Sequence, residues 1–298
     1  MWIFYVLIAV LFWAAVNILD KYIIGHELKD PYLVTTVFGL TTYTLFVFIA
    51  LANGSVGVPV VVAIMAMLAG FSYCLAVIFY YKSMQGMEVS HLALIMATGP
   101  LFVAVASFFI FQEKLSFINY TGIVLIMAGA MIISHKKMVK KKNDKKRKSV
   151  SKFIYIIPFV LVGLMSCRNL LMEYVSSEVG FMPMIFWMGL GGLIVPLSLL
   201  IFHHPHLKKK AEKGVIHLCV SGILSALALI AFARALTEGS VTLSTALLST
   251  KPMIVFLAAT FLSFFHPNII LEKQSKKLLV KKIVAMFIIV AGGIFVIL

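Results

Sequence analysis

An all-α polytopic membrane protein, with ten transmembrane helices arranged as two inverted five-helix repeats, is the architecture this sequence predicts. Three observations carry that reading. Hydrophobic residues make up 62% of the 298 and charged residues only 12%. Apolar stretches of bilayer length recur along the whole chain. The sequence also matches itself at a constant spacing of 152 residues.

A helix needs about 20 apolar residues to cross a bilayer, and backbone polar groups in lipid must be satisfied within the helix. Ten stretches meet that requirement, near residues 2–24, 32–52, 57–81, 89–111, 116–134, 152–175, 180–202, 214–234, 240–265 and 279–298. Little remains for a soluble domain. The first stretch lacks a basic leading region and a small-residue cleavage site, so it reads as a retained span rather than a signal peptide. Cys74, Cys167 and Cys219 lie singly in three different spans and read as small core hydrophobes rather than a disulfide framework.

The net charge of +15 is concentrated rather than spread. Ten of the 26 Lys and Arg fall in residues 136–152, and most of the others cluster in loops 203–214 and 266–282. With ten spans, these loops share one side of the membrane. The positive-inside rule makes that side cytoplasmic, and anionic headgroups there attract basic segments. Both termini are then expected outside, in a multi-pass protein of the cell (plasma) membrane. Lipid contact, not nucleic-acid binding, is the expected role of the basic loops.

Sliding the chain by 152 residues places Asn17 on Asn169, Tyr22 on Tyr174, Pro31 on Pro183, Gly39 on Gly191, Gly70 on Gly222 and Pro100 on Pro252. Agreement among Asn, Pro and Gly at one offset is hard to reach by chance in so apolar a chain. Beyond the prolines the register slips by 11, so that "MAGAMII" falls on "VAGGIFV", as an insertion in the loop 266–282 would produce. The expected organisation is a first repeat at 1–135, a basic linker at 136–151 and a second repeat at 152–298. Five spans is an odd number, so the second repeat enters the membrane inverted. Inverted repeats build carriers whose substrate site lies near the midplane where the halves meet.

The stretches "LFWAAVNILDKY", "FYYKSMQGMEVSHLALIMATGP" with its counterpart "AFARALTEGSVTLSTALLSTKP", the glycine-rich "GIVLIMAGAMII" and "IVAGGIFVIL", and "FQEKLS" after span four resemble the EamA family of the drug/metabolite transporter (DMT) superfamily. The resemblance implies ten helices, a central cavity lined by spans one, three, four, six, eight and nine, and transport of a small organic solute. Family members carry amino acids, nucleosides, sugars or their phosphates, and drugs, so the resemblance names no substrate. It also implies both termini inside, where the charge distribution puts both outside.

An ionisable residue inside the membrane calls for an explanation. Lys251 sits midway along its span, too deep for easy snorkelling, and is followed by Pro252, which frees a carbonyl one turn back. It either binds an anionic group in the cavity or pairs with a buried acid to hold two helices. Arg168 is either a site residue or a side chain that snorkels to the interface. Asn17 and Asn169 are repeat mates with Lys21 and Glu173 four positions on, which shares a helical face, so these clusters are expected at opposite rims of one cavity. Asp20 is expected as an interfacial partner of Lys21.

Further candidates for substrate binding are Tyr73 and Tyr80, seven apart on span three; His91 and Thr98, seven apart on span four; and Ser249, one turn from Thr245. Trp13 and Trp187 are candidates to wall the site, although tryptophan is also the usual interfacial anchor. Pro100 and Pro252 are the expected helix hinges. His91 could carry a proton. "HHPH" at 203–206, beside a lysine run, reads as a solvated loop, and no metal site or cofactor is expected.

No intramembrane-protease pattern, HExxH site or phosphate loop is present in the sequence, and Ser249 and Lys251 lack an oxyanion feature for a Ser/Lys dyad. Nothing forms a carbonyl filter or a charge ring of the channel kind. The expected function is a secondary carrier, not an enzyme, taking an anionic or zwitterionic metabolite, with a proton or a counter-solute as coupling partner. Export of cationic drugs or amines, and a non-transporting scaffold or receptor, are the alternatives.

Overall fold

The computed structural model describes residues 1–54, 56–86, 92, 95–134, 153–203, 212–265 and 276–298. Within them the chain forms eleven helices: α1 (Trp2–His26), α2 (Pro31–Ala52), α3 (Val60–Gly86), α4 (Gly99–Ile110), α5 (Phe117–Ser134), α6 (Phe153–Glu178), α7 (Phe181–His203), α8 (Glu212–Leu236), α9 (Val241–Leu248), α10 (Lys251–Phe265) and α11 (Lys276–Ile297). Eight stretches are long and apolar enough to cross a bilayer, with Val241–Ala258 counted as one; Gly99–Ile110 and Phe117–Ile133 are shorter apolar helices. This is an integral, multi-pass membrane protein. The linker 136–151 lies outside the described residues, as do His91 and most of loops 203–214 and 266–282.

The helices start and turn where local chemistry directs. Asp30 caps α2 by accepting the Tyr32 N–H at 2.9 Å, with Pro31 in the first turn where its missing N–H costs nothing. Hydroxyls in the spans satisfy themselves locally, as when Thr35 and Thr36 donate to carbonyls four residues back, each at 2.8 Å. Outward faces are apolar: Phe48, Phe109, Phe202 and Phe287 stay exposed, as lipid requires.

Packing follows an exchange of halves. α1 packs on α8 while α6 packs on α3; α2 meets α8 while α7 meets α3; α1 meets α10 while α6 meets α4. The pairs α2–α7 and α5–α11 map onto themselves. Small residues allow the close crossings. A Cβ added to Gly70 would lie 2.0 Å from the Met188 carbonyl oxygen, and one on Gly191 would lie 2.0 Å from that of Met67. The Tyr43 ring covers Gly192, and its hydroxyl donates to the Gly70 carbonyl at 2.9 Å. In the outer pair, Gly122 and Gly292 face each other's carbonyls at 2.7 and 2.8 Å from an added Cβ.

Spans four and nine differ from the continuous helices expected over 89–111 and 240–265. Residues 241–265 form two helices, α9 and α10, separated at Ser249 and Thr250, and the described part of span four turns at Ala97 and Thr98 before α4. The cause is the same in both halves. Pro100 and Pro252 have no N–H for the carbonyl four residues back and their rings clash with it. The repeat mates Thr98 and Thr250 turn their hydroxyls onto Ile95 and Leu247 carbonyls at 2.6 and 2.7 Å. Span three also runs further than the expected 57–81, reaching Gly86.

Candidate functional site

The contact between Tyr73 on α3 and Ser225 on α8 marks the relation between the halves. Their oxygens lie 3.2 Å apart, and the two residues are separated by 152 positions. Residues equivalent by the repeat can touch only where the pseudo-two-fold axis passes. Both are buried, so the axis runs through the interior.

Arg168 on α6 lies against this point. Its guanidinium carbon is 4.9 Å from the Tyr73 ring centroid, 5.5 Å from Trp13 and 5.4 Å from Phe232. The side chain is 4% exposed, so these contacts are desolvated; each is worth about 0.5–2 kcal/mol. Its Nε and Nη1 have no acceptor among the described residues. The Trp13 indole N–H is also buried and unpaired, near the Tyr73 hydroxyl but outside hydrogen-bond geometry.

Asp20 on α1 is 2% exposed and accepts the Ser221 hydroxyl of α8 at 2.7 Å. Tyr81 stands beside it without a formed hydrogen bond. Lys251, at the start of α10, is within electrostatic reach of both Asp20 and Arg168. Four helices, α1, α6, α8 and α10, therefore bring two cations and one carboxylate together. Two amides flank them: Tyr80 donates to Asn17 Oδ1 at 3.2 Å, and Asn169 donates to Thr245 at 3.3 Å.

Helical spacing explains the convergence. Trp13, Asn17 and Asp20 are four and three residues apart on α1, and Ser221, Ser225 and Phe232 are four and seven apart on α8, so each set lines one stripe. Charge and aromatic surface thus gather beside the contact between repeat mates.

The family model of the EamA-like transporter family matches residues 1–135. Over those residues the chain is similar to that family. A solved structure titled only "Crystal structure of protein" is similar at a TM-score of 0.74 with 16% sequence identity, over 99% of this chain and 96% of that one. At that identity the likeness concerns fold alone. No curated protein matches the sequence.

Among the candidate residues read from the sequence, the structure brings Lys251, Arg168, Asn17, Asn169, Tyr73, Tyr80 and Trp13 near one another. Thr98 and Ser249 instead sit at the helix breaks, where Ser249 turns toward the Thr245 carbonyl at 3.5 Å. Trp187 stands apart: its indole donates to the Val56 carbonyl at 2.8 Å and anchors the α2–α3 loop. The expected Asp20–Lys21 pairing does not form. Asp20 shares the inward face with Asn17, three residues back, whereas Lys21, one position on, is exposed.

The sequence reading missed Ser221, Ser225 and Phe232, and it quoted Glu113 only within a motif. Ser225 was findable as the repeat mate of Tyr73. Glu113 accepts hydroxyls of Ser107, Ser240 and Thr242, the last at 2.6 Å, and so ties the α4–α5 turn to the start of α9. Gln112 makes that turn with φ of 53°, a left-handed conformation rare for a non-glycine residue. Glu173 also lies near Glu113, with one buried carboxylate oxygen unpaired. The described cavities lie elsewhere. One groove of about 590 Å³ runs between α4 and α5, another of about 460 Å³ runs between α4 and α6, and both are lined almost entirely by apolar side chains.

Proposed function

We propose that the chain is a secondary-active carrier that moves a small organic solute by alternating access, with its site at the axis between two repeats, 1–135 and 152–298. The observation that carries this reading is Arg168: a guanidinium 4% exposed, boxed by three aromatic rings, with donors unpaired, at the point where repeat mates touch. A charge held that deep without a counter-ion is costly, and an anionic or zwitterionic solute would supply the missing acceptors. Lys251, Asn17, Asn169, Tyr73, Tyr80 and Trp13 complete the proposed site, and Pro100 and Pro252 are its hinges. Linker 136–151 and loops 203–214 and 266–282 face the cytoplasm of a cell membrane in this reading, with a proton or a counter-solute as driving partner.

The buried Asp20 favours one competing reading, recognition of an amine. Thermal stabilisation of the purified chain by pooled acidic, zwitterionic and cationic metabolites separates the two, because a ligand that binds only the folded state raises the melting temperature. Stabilisation by acids or zwitterions that disappears in Lys251→Met supports the proposal. Stabilisation by amines alone, unchanged in that variant, refutes the charge preference and moves the site to Asp20. Solute flux into proteoliposomes is the companion measurement, and its absence for every pool would leave a scaffold or receptor.

A further inference from the structure

Among the described residues around the axis, unpaired donors outnumber unpaired acceptors. Arg168 Nε and Nη1 and Trp13 Nε1 are all buried without acceptors, on side chains 4% and 7% exposed. The neighbouring acceptors each hold one partner and do not meet these donors: Asp20 takes Ser221, Tyr73 pairs with Ser225, Asn17 takes Tyr80, and Asn169 Oδ1 is itself unpaired. Buried donors without partners cost free energy, so these point to acceptor atoms that a ligand brings. The rings of Trp13, Tyr73 and Phe232 lie against the guanidinium, which leaves its edge for hydrogen bonding. Nε and Nη1 lie on different edges of the guanidinium, so a group with two acceptor oxygens can take one of these N–H groups with one oxygen and leave the other oxygen for the Trp13 N–H.

Charge then selects among oxyanions. Among the described residues, Arg168 and Lys251 against Asp20, each at its ordinary charge, leave one uncompensated positive charge. A monocarboxylate cancels it. A phosphate monoester carries about −1.5 to −2 at neutral pH and overshoots; a zwitterion leaves the surplus, and an amine increases it.

We infer that Trp13 and Arg168 form a carboxylate-binding subsite, and that the solute carried is an organic monoanion. The inference about the solute rests on the carrier reading above; the subsite stands on the orphaned donors. In this arrangement the indole N–H and the guanidinium edge hold the carboxylate, Lys251 adds long-range attraction, and Asp20 repels a second negative charge and so rejects dianions.

The test is thermal unfolding of the purified full-length chain against lactate, benzoate, glycine, inorganic phosphate and choline, for the wild type and Trp13→Phe. That variant keeps a ring against Phe232 and removes only the N–H. Lactate or benzoate should stabilise the wild type, and Trp13→Phe should weaken that binding about 10- to 100-fold, the effect of one hydrogen bond to a charged group. Arg168→Lys keeps the charge but loses the planar edge. It should weaken the same ligands and answers the question if Trp13→Phe does not fold. Equal affinity in wild type and variants, stabilisation by phosphate, glycine or choline in place of carboxylates, or no stabilisation by any probe would overturn the subsite. Flux in proteoliposomes separates the two readings. Flux without a carboxylate response refutes the monoanion and keeps the carrier; carboxylate binding without flux does the reverse.

Discussion

Replacing Arg168 by Met separates a working charge from a structural one. Three contributions change. The aromatic contacts at 4.9, 5.4 and 5.5 Å are lost, at roughly 0.5–2 kcal/mol each and so about 1.5–6 kcal/mol together. Removing a buried cation regains roughly 2.5–3.5 kcal/mol on insertion scales. Met also refills part of the space with a flexible apolar chain. These terms largely offset, so Arg168→Met should change stability by no more than about 3 kcal/mol in either direction. At about 2–4 °C per kcal/mol for large domains, that is a melting shift within about 12 °C. Stabilisation by monocarboxylates should vanish at the same time. The assay is unfolding followed by tryptophan fluorescence in detergent, with and without lactate or benzoate. A variant that cannot be purified folded would show Arg168 to be an architectural residue, with a partner that must be left uncompensated. A folded variant with undiminished ligand stabilisation would remove Arg168 from the site.

Other expectations test the scaffold. Gly191→Ala places a Cβ 2.0 Å from the Met67 carbonyl oxygen, so α3 and α7 must move apart; the melting temperature should fall by the equivalent of about 1–3 kcal/mol, and an unchanged value would contradict the crossing. Glu113→Ala strands the hydroxyls of Ser107, Ser240 and Thr242 and should cost about 3 kcal/mol or more, with Glu113→Gln intermediate; equal melting of all three proteins would refute the network. Cys167 is exposed on the groove between α4 and α6 while Cys74 is buried. A spin label on Cys167 should therefore meet oxygen dissolved in lipid far more often than a water-soluble nickel chelate, and the opposite ratio would mean that this face of α6 looks into water.

Much of the architecture was legible because lipid imposes strict rules. Ten apolar stretches, and Asn, Pro and Gly matches at one spacing, sufficed for the helices and for the exchange relation seen in their packing. The breaks at Thr98 and Thr250 were half legible: proline signalled a hinge, but whether it bends or divides a helix depends on local turns such as those closed by the Thr98 and Thr250 hydroxyls on the Ile95 and Leu247 carbonyls, and Ser and Thr are too common in spans to announce this. Asp20 was misplaced because neighbours in sequence were weighed above the helical face it shares with Asn17. The aromatic box was legible only as separate candidates, Trp13, Tyr73 and Arg168, with Phe232 unsignalled. Trp13, Tyr73, Arg168 and Phe232 come from four helices and meet only through tertiary packing, which no local pattern encodes.

The two halves agree where they pack and disagree where chemistry gathers. Gly39 and Gly191, Gly70 and Gly222, Pro100 and Pro252, Thr98 and Thr250 are conserved pairs of one architecture within this chain. Arg168, by contrast, stands opposite Val16, Asp20 opposite Met172, Ser221 opposite Ala69, Lys251 opposite Gly99 and Trp13 opposite Met165. Exchanging the conformations of the halves therefore preserves the helix crossings and the self-matched Tyr73–Ser225 contact, but not the polar contacts of these unmatched residues. The Asp20–Ser221 hydrogen bond joins α1 to α8, and its mirror position between α6 and α3 has only Met172 and Ala69 to offer. A symmetric scaffold alone would leave two facing states equal in energy, so their ratio must come from such unmatched pairs. One neutral-to-charged hydrogen bond contributes about 1.5–3 kcal/mol, which corresponds to a bias on the order of 10- to 100-fold toward the state in which α1 and α8 are closed. Ser221→Ala removes that bias without touching Arg168 or Trp13. If the chain cycles as proposed above, this should shift it toward the opposite-facing state, read as faster labelling of a cysteine placed between α1 and α8. Unchanged labelling would show that the preference between states is set elsewhere in the fold.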